Sequence, residues 1–264
     1  MPTVWCTRSI GRVEAAVPQR LGYEPRLDGL RAIAVTLVII SHSFDSGAGP
    51  IGVGVFFVLS GFLITAIIDD ERTRTGGVNL RYFYARRALR LYPALVAFVS
   101  VYVVGLVFHI WKTSIGKGLG GAAMALTYTT DIFTLVGKGR WLAFETQLTW
   151  SLAVEEQFYL LWPLAFLLLM RFVPTWRQRW IVLGSGIVVA AAVRAITSRY
   201  AAVALSPLTW TDALLIGCCL ALAYRNGWIK PRRMHPLVLV VAALPAVRIS
   251  AYGLRPGFDQ IIGL

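Results

Sequence analysis

"LDGLRAIAVTLVIISHSF", residues 27–44, is long and apolar enough to cross a bilayer, yet it carries Asp28, Arg31 and His42. Stretches of about 18 or more apolar residues read as membrane-crossing helices. Ionisable groups inside such a helix are costly, and function is the default reason for keeping them. At about 100° and 1.5 Å per residue, Arg31 and His42 lie within roughly 20° of one helix face and about 16 Å apart along the axis. The purely structural alternative is an arginine snorkelling to one interface and a histidine resting at the other.

Further apolar runs at 51–68, 91–110, 152–170, 180–197, 209–224 and 236–252 join a first span at 28–46. An eighth stretch, 119–136, is ambiguous. The sequence therefore predicts an all-α transmembrane bundle of seven to eight spans, one integral-membrane domain over 1–264 with 1–26 as a basic cytoplasmic leader. Composition agrees. The 264 residues are 57% hydrophobic and 15% charged, whereas soluble domains are about a quarter charged. The net charge of +13 comes from arginines and lysines in the short links, where cytoplasmic retention places them. A nucleic-acid partner is not expected. Cys6, Cys218 and Cys219 make no disulfide framework and no metal-ligand spacing, so no metal site is expected. The leader lacks the apolar core of a secretion signal.

Charge also sets orientation. Arg8, Arg12, Arg20 and Arg26 place the N-terminus inside, and two crossings return the link with Arg72, Arg74, Arg81, Arg86, Arg87 and Arg90 to the same side. If 119–136 does not cross fully, Arg171, Arg177, Arg179, Arg225, Lys230, Arg232 and Arg233 also fall inside, as the positive-inside bias requires. A re-entrant or protein-buried segment is the expectation there.

"TQLTWSLAVEEQFYLLWPL", residues 146–164, is the second unusual span. Ser151, Glu155 and Tyr159 recur every fourth residue and share a face. Glu156 reads as a surface residue near a helix start, where negative charge is favoured. Glu155, on the polar stripe, needs a partner, and its expected depth is that of His42. A histidine beside a carboxylate makes a general base. In "RYFYARRALRLYPAL", residues 81–95, Arg86, Arg87 and Arg90 share one helix surface and Pro93 reads as a helix start. These arginines are either retention charge or a cytoplasmic phosphate site, since guanidinium groups bind phosphates bidentately. "GVGVFFVLSGFLIT", residues 52–65, offers small residues for close helix approach. Ser60 within it reads as a hydrogen-bonding group across the bundle rather than a nucleophile.

"LDGLRA" with Arg-x10-His, "FFVLSGFLIT", "RRALR" before a proline, "WSLAVEEQFYLLWP" and "TDALLIGCCLALA" together resemble membrane-bound acyltransferase family 3, over roughly residues 27–225. The resemblance implies transfer of an acyl group, often acetyl, from acyl-CoA to a hydroxyl. Implied acceptors are surface polysaccharides, peptidoglycan, lipid-linked sugars or macrolides, in a bacterial plasma membrane. It implies catalytic roles for His42, Arg31 and Glu155, donor binding by Arg87, Arg90 and Arg86, and acceptor binding by Trp150, Ser151 and Tyr159. Acyl-CoA enters as a substrate, with no permanently bound cofactor. Two departures stand out. "LTWTDALLIG" has Trp210 where an arginine is often found, and the chain stops at Leu264 with fewer than the about ten spans implied, each set by bilayer thickness. A proton-coupled carrier and an inactive shortened family member remain as competing readings; the matched halves usual in carriers are not visible.

Overall fold

The structure, a computed structural model, describes residues 24–44, 49–135, 144–197 and 207–229. The elements in chain order are α1 (Pro25–Phe44), α2 (Gly49–Thr75), α3 (Leu80–Val107), α4 (Ile115–Leu126), α5 (Thr130–Phe133), α6 (Phe144–Gln147), α7 (Trp150–Phe172), α8 (Trp176–Thr197) and α9 (Pro207–Arg225). No strand occurs among the described residues, so the chain is all-α as expected. The expected span at 236–252, and the leader up to residue 23, lie outside the described residues.

Among the described residues four helices are long and apolar enough to cross a membrane: α2, α3, α7 and the Trp176–Ile196 stretch of α8. This makes the chain a multi-pass membrane protein. α2 is the axis of the bundle. Its Phe57, Val58, Leu59, Phe62 and Ala66 are fully enclosed, and it packs most extensively on α9, then on α1, with α8 behind α9. Glycine makes the central contact possible. A Cβ on Gly61 would run into the Leu214 carbonyl, and one on Gly217 into the Val58 carbonyl. Between helices in lipid, backbone proximity and packing replace the hydrophobic effect as the adhesive. Cys218 adds a thiol donor to the Gly61 carbonyl oxygen at 3.6 Å, so it is a small packing residue.

The helix ends differ from the expected spans. α2 runs on to Thr75 and α3 starts at Leu80, eleven residues before the expected 91. Only 76–79 remain as a link, with Gly76 at φ +76° and Asn79 capping α3 by accepting from the Tyr82 N–H at 3.0 Å. Arg72, Arg74 and Arg81, expected in a loop, are therefore helical, and Arg86, Arg87 and Arg90 share a helix as expected. Pro93, expected to start a helix, lies inside α3. Helices continue beyond the apolar run because charged residues are good helix formers once outside lipid. At about 1.5 Å per residue, the 27 residues of α2 span about 40 Å, more than the roughly 30 Å hydrocarbon core.

The ambiguous 119–136 stretch is broken. α4 has 12 residues and α5 four, separated by a turn in which Tyr128 adopts φ +53°. At about 18 Å, α4 is too short to cross alone; it packs on α3, α5 and α6, and α5 packs on α7.

The charged ends gather. Arg225 at the end of α9 pairs with Asp69 and Asp70 near the end of α2, at 3.0 and 2.9 Å. Arg179 on the first turn of α8 lies within electrostatic reach of Arg72 and Asp69, and Glu24 before α1 within reach of Tyr224. One end of the bundle thus carries the start of α1 and the arginine clusters of α2, α8 and α9, the arrangement required if α4 and α5 do not cross.

Candidate active site

Glu155 sits in the second turn of α7 and is only 3% exposed. Two hydroxyls donate to its Oε1, Ser60 from α2 and Tyr159 one turn along α7, each at 2.5 Å, and the Arg87 guanidinium from α3 forms an ion pair with the same oxygen at 3.7 Å. Arg87 also faces Glu156 at 3.4 Å and lies over the Tyr159 ring. A carboxylate taken out of water demands such pairing. α3 reaches α7 through long side chains, for Tyr84 also donates to the Leu160 carbonyl at 2.7 Å.

A cavity of about 180 Å³ opens beside this carboxylate. Val53, Phe56 and Phe57 of α2, Ser151, Leu152 and Glu155 of α7, and Ala34, Val35, Val38 and Ile39 of α1 line it. Among these lining residues Glu155 is the one charged group and Ser151 the one other polar side chain. α1 therefore turns positions 35 and 38 into the cavity. Arg31 is one turn before Val35 and position 42 one turn after Val38, so 31, 35, 38 and 42 form a single stripe. The Arg31 guanidinium lies 5.9 Å from the ring centre of Phe56, which lines the cavity. Its Nε is buried without a hydrogen-bond partner, and it makes no ion pair among the described residues. His42 lies on α1 with its side chain outside the described set.

The remaining residues separate. Ser151 faces the cavity. Tyr159, expected at the acceptor, is 1% exposed and bound to Glu155. Glu156, expected at the surface, is partly buried against Arg87. Arg86, Arg87 and Arg90 do not act alike: Arg87 turns inward to the two carboxylates, Arg86 is exposed over the Tyr82 ring at 4.1 Å, and Arg90 is exposed. Trp150 stands in an aromatic group with Phe57 and Trp210, ring centres 5.6–6.5 Å apart.

Ser60 hydrogen-bonds across the bundle as expected, and its partner, which the sequence did not identify, is Glu155, 95 residues away. A second feature was not read in the sequence. Arg194 on α8, buried, pairs with Asp212 and lies 4.6 Å over the Trp210 ring. The position where an arginine is often found thus holds an indole, with a guanidinium from α8 on its face. Among the described residues no group of His, Cys, Asp and Glu could hold a metal ion.

A family model described as acyltransferase domain matches residues 24–259. Among curated relatives, the chain is 40% identical over 159 residues to peptidoglycan O-acetyltransferase OatA of Listeria monocytogenes, covering 57% of this chain and 25% of that protein. It is 34% identical over 268 residues to O-acetyltransferase OatA of Staphylococcus aureus, covering 97% of this chain and 43% of that protein. The chain thus spans less than half the length of these relatives. No solved structure matches it significantly. With nearly its whole length matched by the family model, the chain belongs to the acyltransferase-domain family.

Proposed function

We propose that this chain is a membrane O-acetyltransferase unit that moves an acetyl group from acetyl-CoA to a hydroxyl of a cell-envelope carbohydrate of the peptidoglycan kind. The observation that carries the reading is the cavity: one buried carboxylate, Glu155, faces the α1 stripe whose ends are Arg31 and His42. The names of the relatives support acetyl and carbohydrate over other acyl groups, macrolides and lipid-linked sugars.

In this reading His42 takes the proton of the acceptor hydroxyl while that oxygen attacks the thioester carbonyl carbon. The C–S bond then breaks, and the CoA sulfur leaves with the proton that His42 returns. Glu155 orients the imidazole and balances its charge. A positioned base of this sort is worth about 10²–10⁴ in rate. Arg31, a cation without an acidic partner among the described residues, takes an anionic part of the donor. Arg86 and Arg90, exposed and unpaired among the described residues, bind its phosphates at the cytoplasmic side, whereas Arg87 is already occupied by two carboxylates. Trp150 and Ser151 shape the acceptor end.

The test uses purified protein in proteoliposomes with labelled acetyl-CoA and solubilised peptidoglycan fragments, reading free CoA and acetylated product. His42→Ala is expected to lose about 10²–10⁴ in rate while inserting normally. Wild-type turnover by that variant would remove the base assignment. Solute flux without acetyl transfer would favour the carrier.

A further inference from the structure

Glu155 is held asymmetrically. A carboxylate has about four lone-pair positions on two oxygens. The Ser60 hydroxyl, the Tyr159 hydroxyl and the nearest Arg87 nitrogen all converge on Oε1. No hydrogen bond reaches Oε2 among the described residues, although Glu155 is the one charged residue lining the cavity. The two hydroxyls come from separate supports. Ser60 is fully enclosed on α2, next to Gly61 whose close contact with the Leu214 carbonyl fixes the depth of α2 against α9. Tyr159 is enclosed on α7, with the Arg87 guanidinium on its ring. Neither hydroxyl belongs to a residue that lines the cavity, so neither meets a substrate there.

We infer that Ser60 and Tyr159 are positioning residues for acyl transfer: they clamp Oε1 of Glu155 from two helices so that Oε2 is the oxygen presented to the cavity. The clamp fixes the plane of the carboxylate and leaves it one direction in which to accept. Arg87 keeps the charge from being an isolated one in an apolar site. A geometry held from two helices is worth most in the transition state, since misplacement of a catalytic group by about 1 Å can cost about 10²-fold. The inference rests on the acyl-transfer reading above and adds that the rate depends on two hydroxyls which touch neither donor nor acceptor.

The test is steady-state acetyl transfer by the full chain in proteoliposomes, with labelled acetyl-CoA and solubilised peptidoglycan fragments. Ser60→Ala and Tyr159→Phe each remove one hydroxyl and almost no volume. Each is expected to lower kcat by about 10–100-fold, a fraction of a lost catalytic group, with the KM for acetyl-CoA within about twofold. Placed in a Glu155→Gln background, each is expected to cost less than about twofold further, because residues acting through one group are not additive. A purely structural residue would keep its cost there. Two variants on different helices guard against one failing to fold. Wild-type kcat in both variants would overturn the inference and leave the acyl-transfer reading standing. So would a cost that persists without the Glu155 carboxylate, or an acetyl adduct trapped on Ser60, which would make that serine a nucleophile. Absence of acetyl transfer by the wild-type chain would remove the reading itself, and the inference with it.

Discussion

Glu155 and Glu156 are neighbours on α7, but only Glu155 lines the cavity, and this separates their expected phenotypes. Glu155→Gln keeps the size but removes the charge that balances the base and puts a donating amide where an accepting oxygen faced the cavity, so transfer should fall by about 10²-fold or more, within the range for acid–base groups. Glu156→Gln should change it far less, since that side chain meets Arg87 rather than the cavity. Rates of the two purified variants decide this. Arg87→Ala should leave the Glu155 carboxylate, 4% exposed as a side chain, without its cation. Breaking a buried pair from one side costs about 3–5 kcal/mol. The low end fits here, because the Arg87 side chain keeps 22% exposure and water screens it. Thermal unfolding in detergent should show that loss for Arg87→Ala and none for Arg86→Ala or Arg90→Ala, which should instead raise the KM for acetyl-CoA. At this scale the sequence made Glu155 conspicuous, because a charge in an apolar run needs a partner. It could not separate Arg87 from Arg86 and Arg90, since all three share one helix surface and only the docking of α7 selects one. The bond of Ser60 across the bundle was legible, but its partner was hidden for a similar reason: several helices could supply one, and only the docking of α7 selects Glu155.

Helix α2 shows how an element acquires its place. Its apolar residues run around the whole circumference, as expected of a helix buried on all sides, and its glycines decide how closely neighbours approach. Gly61→Leu and Gly217→Leu should each disrupt the α2–α9 contact, because each side chain meets opposing backbone that cannot yield. Overpacking typically costs about 1–3 kcal/mol and sometimes more, and here it acts at two backbones. Gly29→Leu on α1 is the control, with nothing within 4 Å of an added Cβ. Size-exclusion profiles and thermal unfolding of the three variants test this, with loss of the folded species in the first two only. The existence of the helices was legible from apolar run length. Their ends were not, because α2 and α3 carry charged residues onward as helix, and because a proline such as Pro93 is tolerated inside a long membrane helix when neighbours satisfy the freed carbonyl. The breaking of 119–136 was signalled by charge placement rather than by hydropathy.

For the whole molecule, one bundle end unites Arg72, Arg179 and Arg225 with the start of α1, and from the positive-inside bias we propose that this end faces the cytoplasm. In a Cys6→Ser background, Arg177→Cys should react with an impermeant thiol reagent only after the membrane is opened; reaction in sealed cells would mean that α4 and α5 do cross. The gathering of the charged helix ends at one side was readable in the sequence because it follows from charge counts. The cavity was not, since it depends on which faces of α1, α2 and α7 meet once α9 has set the depth of α2. Central to the proposed function is that His42 and Glu155 serve one cavity as one catalytic unit. A double-mutant cycle in acetyl transfer tests it directly, comparing His42→Ala, Glu155→Gln and the pair. Groups that act as a unit are strongly non-additive, so the double variant should be no more than about threefold slower than the slower single one. Losses that multiply, as for independent sites, would contradict it.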